Sequence, residues 1–160
     1  MIFFLAVAAT AAAVPVVQKA LPGPNAVKGF AIMRGSLVYG KGDGISKIYD
    51  GGYELYTGNG VVDAARQMYQ RGGDCVEVTV HTMKSDKAAL DFIRHWQNEN
   101  KVRQLTKSGA STGFVITKPN VMAYFVQGKY LVTVSAFHAA GKAAKDASAF
   151  SRVISESLKR

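Results

Sequence analysis

Apolar and polar residues alternate strictly in the middle of the chain. Between Cys75 and Met83, Val76, Val78 and Val80 take every second position, and most positions between them are polar. This period of two is typical of a strand with one buried face. We therefore predict a half-buried strand here.

Three apolar runs nearer the C-terminus are separated only by short turn sequences. The runs cover residues 114–118, 121–126 and 130–137, with Pro119-Asn120 and residues 127–129 (QGK) between them. Proline, asparagine and glycine at such breaks favour tight turns. The pattern predicts a meander of three antiparallel strands.

Two segments repeat their apolar residues with the period of a helix. The first follows the capping residue Ser85 and extends to about Asn98. Its apolar face contains Ala89, Phe92, Ile93 and Trp96. The second extends from 143 to 158, and its apolar stripe contains Ala143, Ala147, Phe150, Ile154 and Leu158. Each stripe predicts an amphipathic helix packed on a sheet.

The remaining segments are less regular. Residues 29–39 predict one or two short strands, 45–56 a short helix or irregular segment, and 61–69 fit either a helix or a strand. Residues 101–113 are polar and predict a loop. The whole pattern predicts an α+β fold, in which an antiparallel β-sheet carries its helices on one face, within a single domain over 28–160.

An apolar leader precedes that domain. Residues 2–17 carry no charge, and as a helix they would rise about 24 Å, which is short of the roughly 30 Å of a bilayer core. Ala11-Ala12-Ala13 fits a signal-peptide cleavage pattern, although no basic residue precedes the run. Residues 1–20 are thus predicted as an N-terminal apolar helix that is a signal peptide, a membrane anchor or a soluble arm, and 21–27 as a linker.

Charge narrows the classes of partner. The 160 residues have a formal net charge of +9, with 48% hydrophobic and 19% charged residues. This composition is that of an ordered globular protein whose surface attracts polyanions. Nucleic acid is an unlikely partner, because the basic residues are not interleaved with stacking aromatics in a known motif.

The sequence contains no motif for catalysis, a metal or a cofactor in the structural context that its chemistry needs. Residues 109–113 (GASTG) match the GxSxG string, but a polar segment precedes Ser111 where a hydrolase needs a strand, and a strand follows where it needs a helix. The three histidines lack ligand spacing, and the lone Cys75 fits an inert, partly buried thiol. We predict a non-enzymatic protein without a cofactor.

Residues 48–56 (IYDGGYELY), with the strand after Cys75 and the helix start at 85–89 (SDKAA), resemble an uncharacterised family of exported bacterial proteins. That family carries the segment Y-x-x-I-N/D-G-x-x-E-L-Y, and the resemblance covers about residues 28–137. It implies that 45–56 is helical and that 61–69 is a strand. It implies no activity. Candidate binding residues within and near the segment are Tyr53, Glu54, Tyr56 and Trp96.

Two functional hypotheses follow from these features. The first is an accessory domain in the bacterial cell envelope, anchored in the inner membrane or periplasmic, that docks on protein subunits of a membrane complex such as a respiratory or photosynthetic assembly. Anionic lipid headgroups are a further possible partner. The candidate basic docking surface consists of Lys142, Lys145, Arg152, Lys159 and Arg160.

The second hypothesis is a periplasmic binding domain for an apolar or anionic small ligand. Its site would be a cleft between the sheet and the helices, near Tyr53, Tyr56 and Trp96. A tightly packed interior at these residues would argue against that location.

Overall fold

A computed structural model describes residues 12–159 of the chain. The strands are β1 (Ala31–Ile32), β2 (Val38–Lys41), β3 (Val61–Arg71), β4 (Asp74–Met83), β5 (Thr106–Ser108), β6 (Ser111–Ile116), β7 (Val121–Gln127) and β8 (Tyr130–Ala136). The helices are α1 (Val16–Lys19), α2 (Tyr53–Gly58), α3 (Asp86–Glu99) and α4 (Ala140–Ser157), and a 3-10 helix covers Gly42–Lys47.

All eight strands form one sheet in the order β1-β3-β4-β8-β7-β6-β5, and β2 also pairs with β3. Every pairing is antiparallel. The long hairpin of β3 and β4 turns at Gly72-Gly73, where Gly72 has a φ of +58°, a conformation that glycine adopts without strain. The α+β class and the antiparallel sheet are confirmed.

Helices cover both faces of the sheet, so the prediction of one covered face is wrong. Val76, Val78 and Val80 of β4 belong to a core that they share with α4. On the opposite face, a second core contains the apolar side of α3, including Phe92 and Ile93. The two faces are called the α4 face and the α3 face below. β4 is central, and its polar-looking side is also buried, which its alternating pattern did not indicate.

The N-terminal residues are part of the domain. Val17 is fully buried, and Ala20 and Leu21 lie beside it in the core of the α4 face. The Tyr69 hydroxyl donates a hydrogen bond of 2.9 Å to the carbonyl of Pro22. Residues 16–30 therefore pack on the sheet, although the sequence assigned 1–20 to a leader and 21–27 to a linker.

Most of the predicted leader, residues 1–11, lies outside the described part of the chain, as does Arg160. Residues 12–15 have no regular structure, and α1 is a single turn. Between residues 12 and 159, no helix combines the length and the apolar character needed to cross a membrane.

Local predictions are confirmed in several segments. Ser85 caps α3 through its hydroxyl, which accepts a 3.1 Å hydrogen bond from the amide of Ala88. Residues 61–69 form a strand, and 45–56 contain the end of the 3-10 helix and the start of α2. The predicted loop at 101–113 is wrong in part, because its second half forms β5 and the start of β6 at the sheet edge, where exposed polar strand residues are tolerated.

Candidate functional site

The predicted aromatic residues meet on the α3 face. Tyr56 of α2 stacks on Tyr49, with ring centroids 3.6 Å apart, and its ring lies 6.1 Å from that of Trp96. Phe92 contacts Tyr56 edge-on. Tyr53 packs on the margin of this cluster, whereas Glu54 is exposed.

A buried histidine forms the base of the aromatic cluster. His81 Nδ1 lies 2.9 Å from the carbonyl oxygen of Leu131, which can only accept, so this nitrogen carries the proton. Nε2 therefore accepts the very short hydrogen bond from the hydroxyl of Tyr49. Burial lowers the pKa of His81 to about 4 and raises the pKa of Tyr49. His81 is neutral and fully satisfied at neutral pH.

The rings at the predicted ligand cleft thus pack against one another and against the core of the α3 face. Tyr56 and Trp96 do come together, but they contact Phe92 and each other. The cluster is a second hydrophobic core, and the predicted location of a ligand cleft at these residues is not supported.

Four of the predicted basic residues share one exposed stripe of α4. Lys142, Lys145, Arg152 and Lys159 are all exposed along the helix and its last turn. Lys142 pairs with Asp74 at 2.5 Å, and Lys159 pairs with Glu156 at 2.6 Å. Within residues 12–159, Lys145 and Arg152 make no ion pair, so their charges are available to a partner.

A charged network links this helix to the β3–β4 hairpin. Arg71 binds Asp146 through both terminal nitrogens, and it binds Asp74 at 3.1 Å. His138 Nε2 lies 2.9 Å from the same Asp146 carboxylate. Ion pairing with Lys142 and Arg71 lowers the pKa of Asp74, although partial desolvation opposes it.

Asp74, His138 and Asp146 also offer ligand atoms within 4.8 Å of one another, which is a spacing that could hold a metal ion. Both carboxylates are already bound by the cations of Arg71 and Lys142. The cluster is therefore best described as a partly buried ion-pair network that links α4 to the β3–β4 hairpin.

A groove lies on the α4 face between α4 and the strands β5 to β7. Its volume is about 630 Å³. The floor comes from Gly113, Val115, Ala123 and Phe125, and the wall comes from Ala144, Ser148, Ser151 and Ser155. Arg152 and Lys159 line the rim together with Glu156.

The groove exists because small residues face it. α4 presents alanine and serine where a larger side chain would reach the strands, and Val115 on the floor remains 56% exposed. At one end, Ser111 donates to the Gln127 side-chain oxygen at 2.9 Å, and Ser155 donates to the same atom at 2.7 Å. Ser111 has no histidine partner among residues 12–159, and it begins β6, so it does not form a nucleophile elbow.

The fold resembles that of an extracellular domain. The chain is similar to the solved extracellular domain of PknH from Mycobacterium tuberculosis, with a TM-score of 0.53 and 13% sequence identity over 85% of this chain and 90% of that chain. At this identity the similarity establishes a shared fold. No model of a protein family matches the chain, and no curated protein matches its sequence.

Neither the groove nor the burial of His81 was predicted from the sequence. The signal for the groove was present as a run of small residues, Ala144, Ser148, Ser151 and Ser155, that borders the apolar stripe of α4 at helical spacing. No local signal marked His81 as buried, because its burial follows from the central place of β4 in the sheet. Cys75 is partly buried, and desolvation raises its pKa, as expected for an unreactive thiol.

Proposed function

We propose that the chain is an exported, non-enzymatic binding domain that takes a small amphipathic anion in the groove between α4 and β6. The observation that carries this proposal is the groove itself, which combines an apolar floor with serine hydroxyls and a cationic rim. Ligand sites are commonly concave and largely apolar, with a few polar groups that orient the ligand.

Export is supported by the leader and by the start of the packed region. Within residues 12–159, the first fully buried side chain is Val17, which follows the Ala11-Ala12-Ala13 pattern. Cleavage after Ala13 would preserve the buried contacts described for the N-terminal segment. If the leader is retained as an anchor, the same fold would lie next to the membrane. The likeness to an extracellular domain agrees with either arrangement.

The side chains of the groove select for a particular ligand chemistry. Val115 and Phe125 provide apolar contact, while Arg152 lines the rim without an ion pair among the described residues. Lys159 shares its charge with Glu156. A ligand with one acidic group and a flat or aliphatic apolar part satisfies both regions, because burial gives affinity and Arg152 orients the acid.

Anilinonaphthalene sulfonate is a suitable probe, since it combines an apolar ring system with one sulfonate. We expect the folded protein to bind it at one site, measured by fluorescence titration under conditions where near-ultraviolet circular dichroism shows native packing. Ser151→Trp would fill the groove and abolish binding. Leu90→Trp on the exposed side of α3 is the matched control and should bind normally.

A charge-swap pair at the floor separates site-specific binding from loss of fold. Val115 is 56% exposed, so both Val115→Glu and Val115→Lys should fold. The two variants lose the same apolar contact, but only glutamate repels the sulfonate. Equal binding by both variants, or unchanged binding by Ser151→Trp, would overturn the proposal.

Docking on a membrane complex is the second candidate, and the exposed stripe of α4 favours it. Lys145 and Arg152 present charges with no intramolecular ion pair in the described part of the chain. Membranes dissolved in mild detergent would be separated by native electrophoresis. Comigration with a large assembly, lost in Lys145→Glu, would support docking, and migration as a free monomer would contradict it.

A further inference from the structure

A second concavity lies on the other flank of α4, between this helix and residues 26–28. Its volume is about 450 Å³. Three cations on its wall make no ion pair within residues 12–159, namely Lys28, Lys145 and Arg152. We call this concavity the basic basin.

The geometry of α4 places two of these cations on the same side of the helix. Lys145 and Arg152 lie two helical turns apart on one side, about 10 Å along the axis. Ala149 lies between them and is also part of the basin wall, so no side chain fills the space under the two long cations. Lys28 approaches from the packed N-terminal segment opposite the helix.

Arg71 adds a fourth cation, and its position is fixed. It holds Asp146 through two nitrogens, and its guanidinium lies 4.3 Å from the centre of the Phe30 ring. Asp146 is the one acidic residue on the basin wall, and it is shared by Arg71 and His138. The basin therefore keeps an excess of positive charge that no carboxylate of the wall balances.

We propose that the basic basin binds a phosphate group through Lys28, Lys145 and Arg152. A tetrahedral oxyanion has enough oxygens for all three cations, and its charge relieves their mutual repulsion. Val27, Ala149 and Val153 form the apolar part of the wall. The phosphate could belong to a soluble compound or to a lipid headgroup.

The test uses the folded chain from residue 14 onward, which retains every buried N-terminal side chain described above. Inorganic phosphate is titrated and followed by amide chemical shifts in NMR. In a parallel arm, the protein is floated with vesicles of phosphatidylcholine, with or without phosphatidylglycerol. Shifts around Lys28 and Ala149 with inorganic phosphate indicate a soluble ligand, and flotation only with phosphatidylglycerol indicates a headgroup.

The decisive variant is Lys28→Gln with Lys145→Gln, which removes two basin cations and leaves the β6–α4 groove unchanged. In whichever assay the parent protein binds, phosphate titration or vesicle flotation, we expect this double variant to bind at least about tenfold more weakly. That is the effect expected for the loss of charge-assisted hydrogen bonds. Lys47→Gln with Lys118→Gln lowers the net charge equally at exposed sites outside both concavities and should bind like the parent.

Absence of binding in both arms, or equal weakening in the two double variants, would overturn the phosphate site. The result is independent of the groove proposal, because Ser151→Trp should abolish binding of anilinonaphthalene sulfonate while phosphate binding persists. Absence of phosphate binding in both arms, together with probe binding that Ser151→Trp abolishes, would remove the basin proposal and leave the groove proposal intact.

Discussion

The buried histidine makes stability sensitive to mild acid. His81 has a pKa of about 4 in the folded protein, against the usual 6.5, because burial disfavours its charged form. The unfolded chain therefore binds the proton more tightly. The contribution of neutral His81 to the free energy of unfolding is fully present above pH 6.5, and it falls as the pH drops from there toward 4. Since a tenfold change in proton affinity is about 1.4 kcal/mol, the loss is about 2 kcal/mol near pH 5 and about 3 kcal/mol near pH 4.

Burial is the cause of the lowered pKa of His81, and protonation also removes a hydrogen-bond acceptor. Nε2 accepts from the Tyr49 hydroxyl, and a proton on this nitrogen removes the acceptor and leaves a charge in the α3-face core. Urea unfolding at a series of pH values measures the loss. His81→Gln is the comparison, because glutamine cannot be protonated in this range, and its stability should vary less with pH by the stated amounts.

The two proteins differ only at position 81, so the difference between the two pH profiles isolates His81. NMR titration of the His81 ring in the parent protein gives a second readout that does not depend on the variant. Parallel pH profiles for the two proteins, or a ring titration near 6.5, would refute the assignment of His81 as a buried neutral acceptor.

Three further substitutions test the packing, each by denaturant unfolding. Val17→Ala should cost about 2 kcal/mol, since Val17 is fully buried although it lies in the predicted leader. Asp146→Asn should cost about 2 kcal/mol, because it leaves Arg71 without its bidentate partner. Gly113→Ala should cost about 2 kcal/mol or more, because its Cβ would lie 2.1 Å from the Tyr124 carbonyl oxygen.

Each of these variants has a matched control on the surface. Val62 is 40% exposed, and Val62→Ala should change the free energy of unfolding little. Asp91 pairs with Lys87 in the open on α3, so Asp91→Asn should change the free energy of unfolding little. Gly73 has open space around its Cβ position, so Gly73→Ala should be tolerated. Equal losses in a variant and its control would contradict the packing described here.

Local patterns predicted the elements but not their arrangement. The alternation after Cys75 and the stripe from Ala143 to Ile154 correspond to β4 and α4, because each pattern reports which side of one element is buried. Which helix covers which face depends on strand order, and here β8 pairs with β4 across the sequence. This long-range pairing made β4 central and buried His81.

The candidate site was predictable only in part for a related reason. Four of the five residues of the predicted basic surface lie within the described part of the chain and are exposed on or just after α4, whereas their role in docking stays a prediction. The groove and the basic basin depend on how far α4 lies from β6 and from residues 26–28, and no local pattern encodes those distances. Aromatic residues near Tyr53 suggested a cleft, but they pack on one another as a core.

The most direct test of the binding proposal is to locate the bound probe at atomic resolution. A crystal structure or NMR map of the complex with anilinonaphthalene sulfonate should place the rings over Val115 and Phe125, with the sulfonate beside Arg152. A probe bound among Tyr53, Tyr56 and Trp96, or no ordered site on the folded protein, would contradict a ligand groove between α4 and β6.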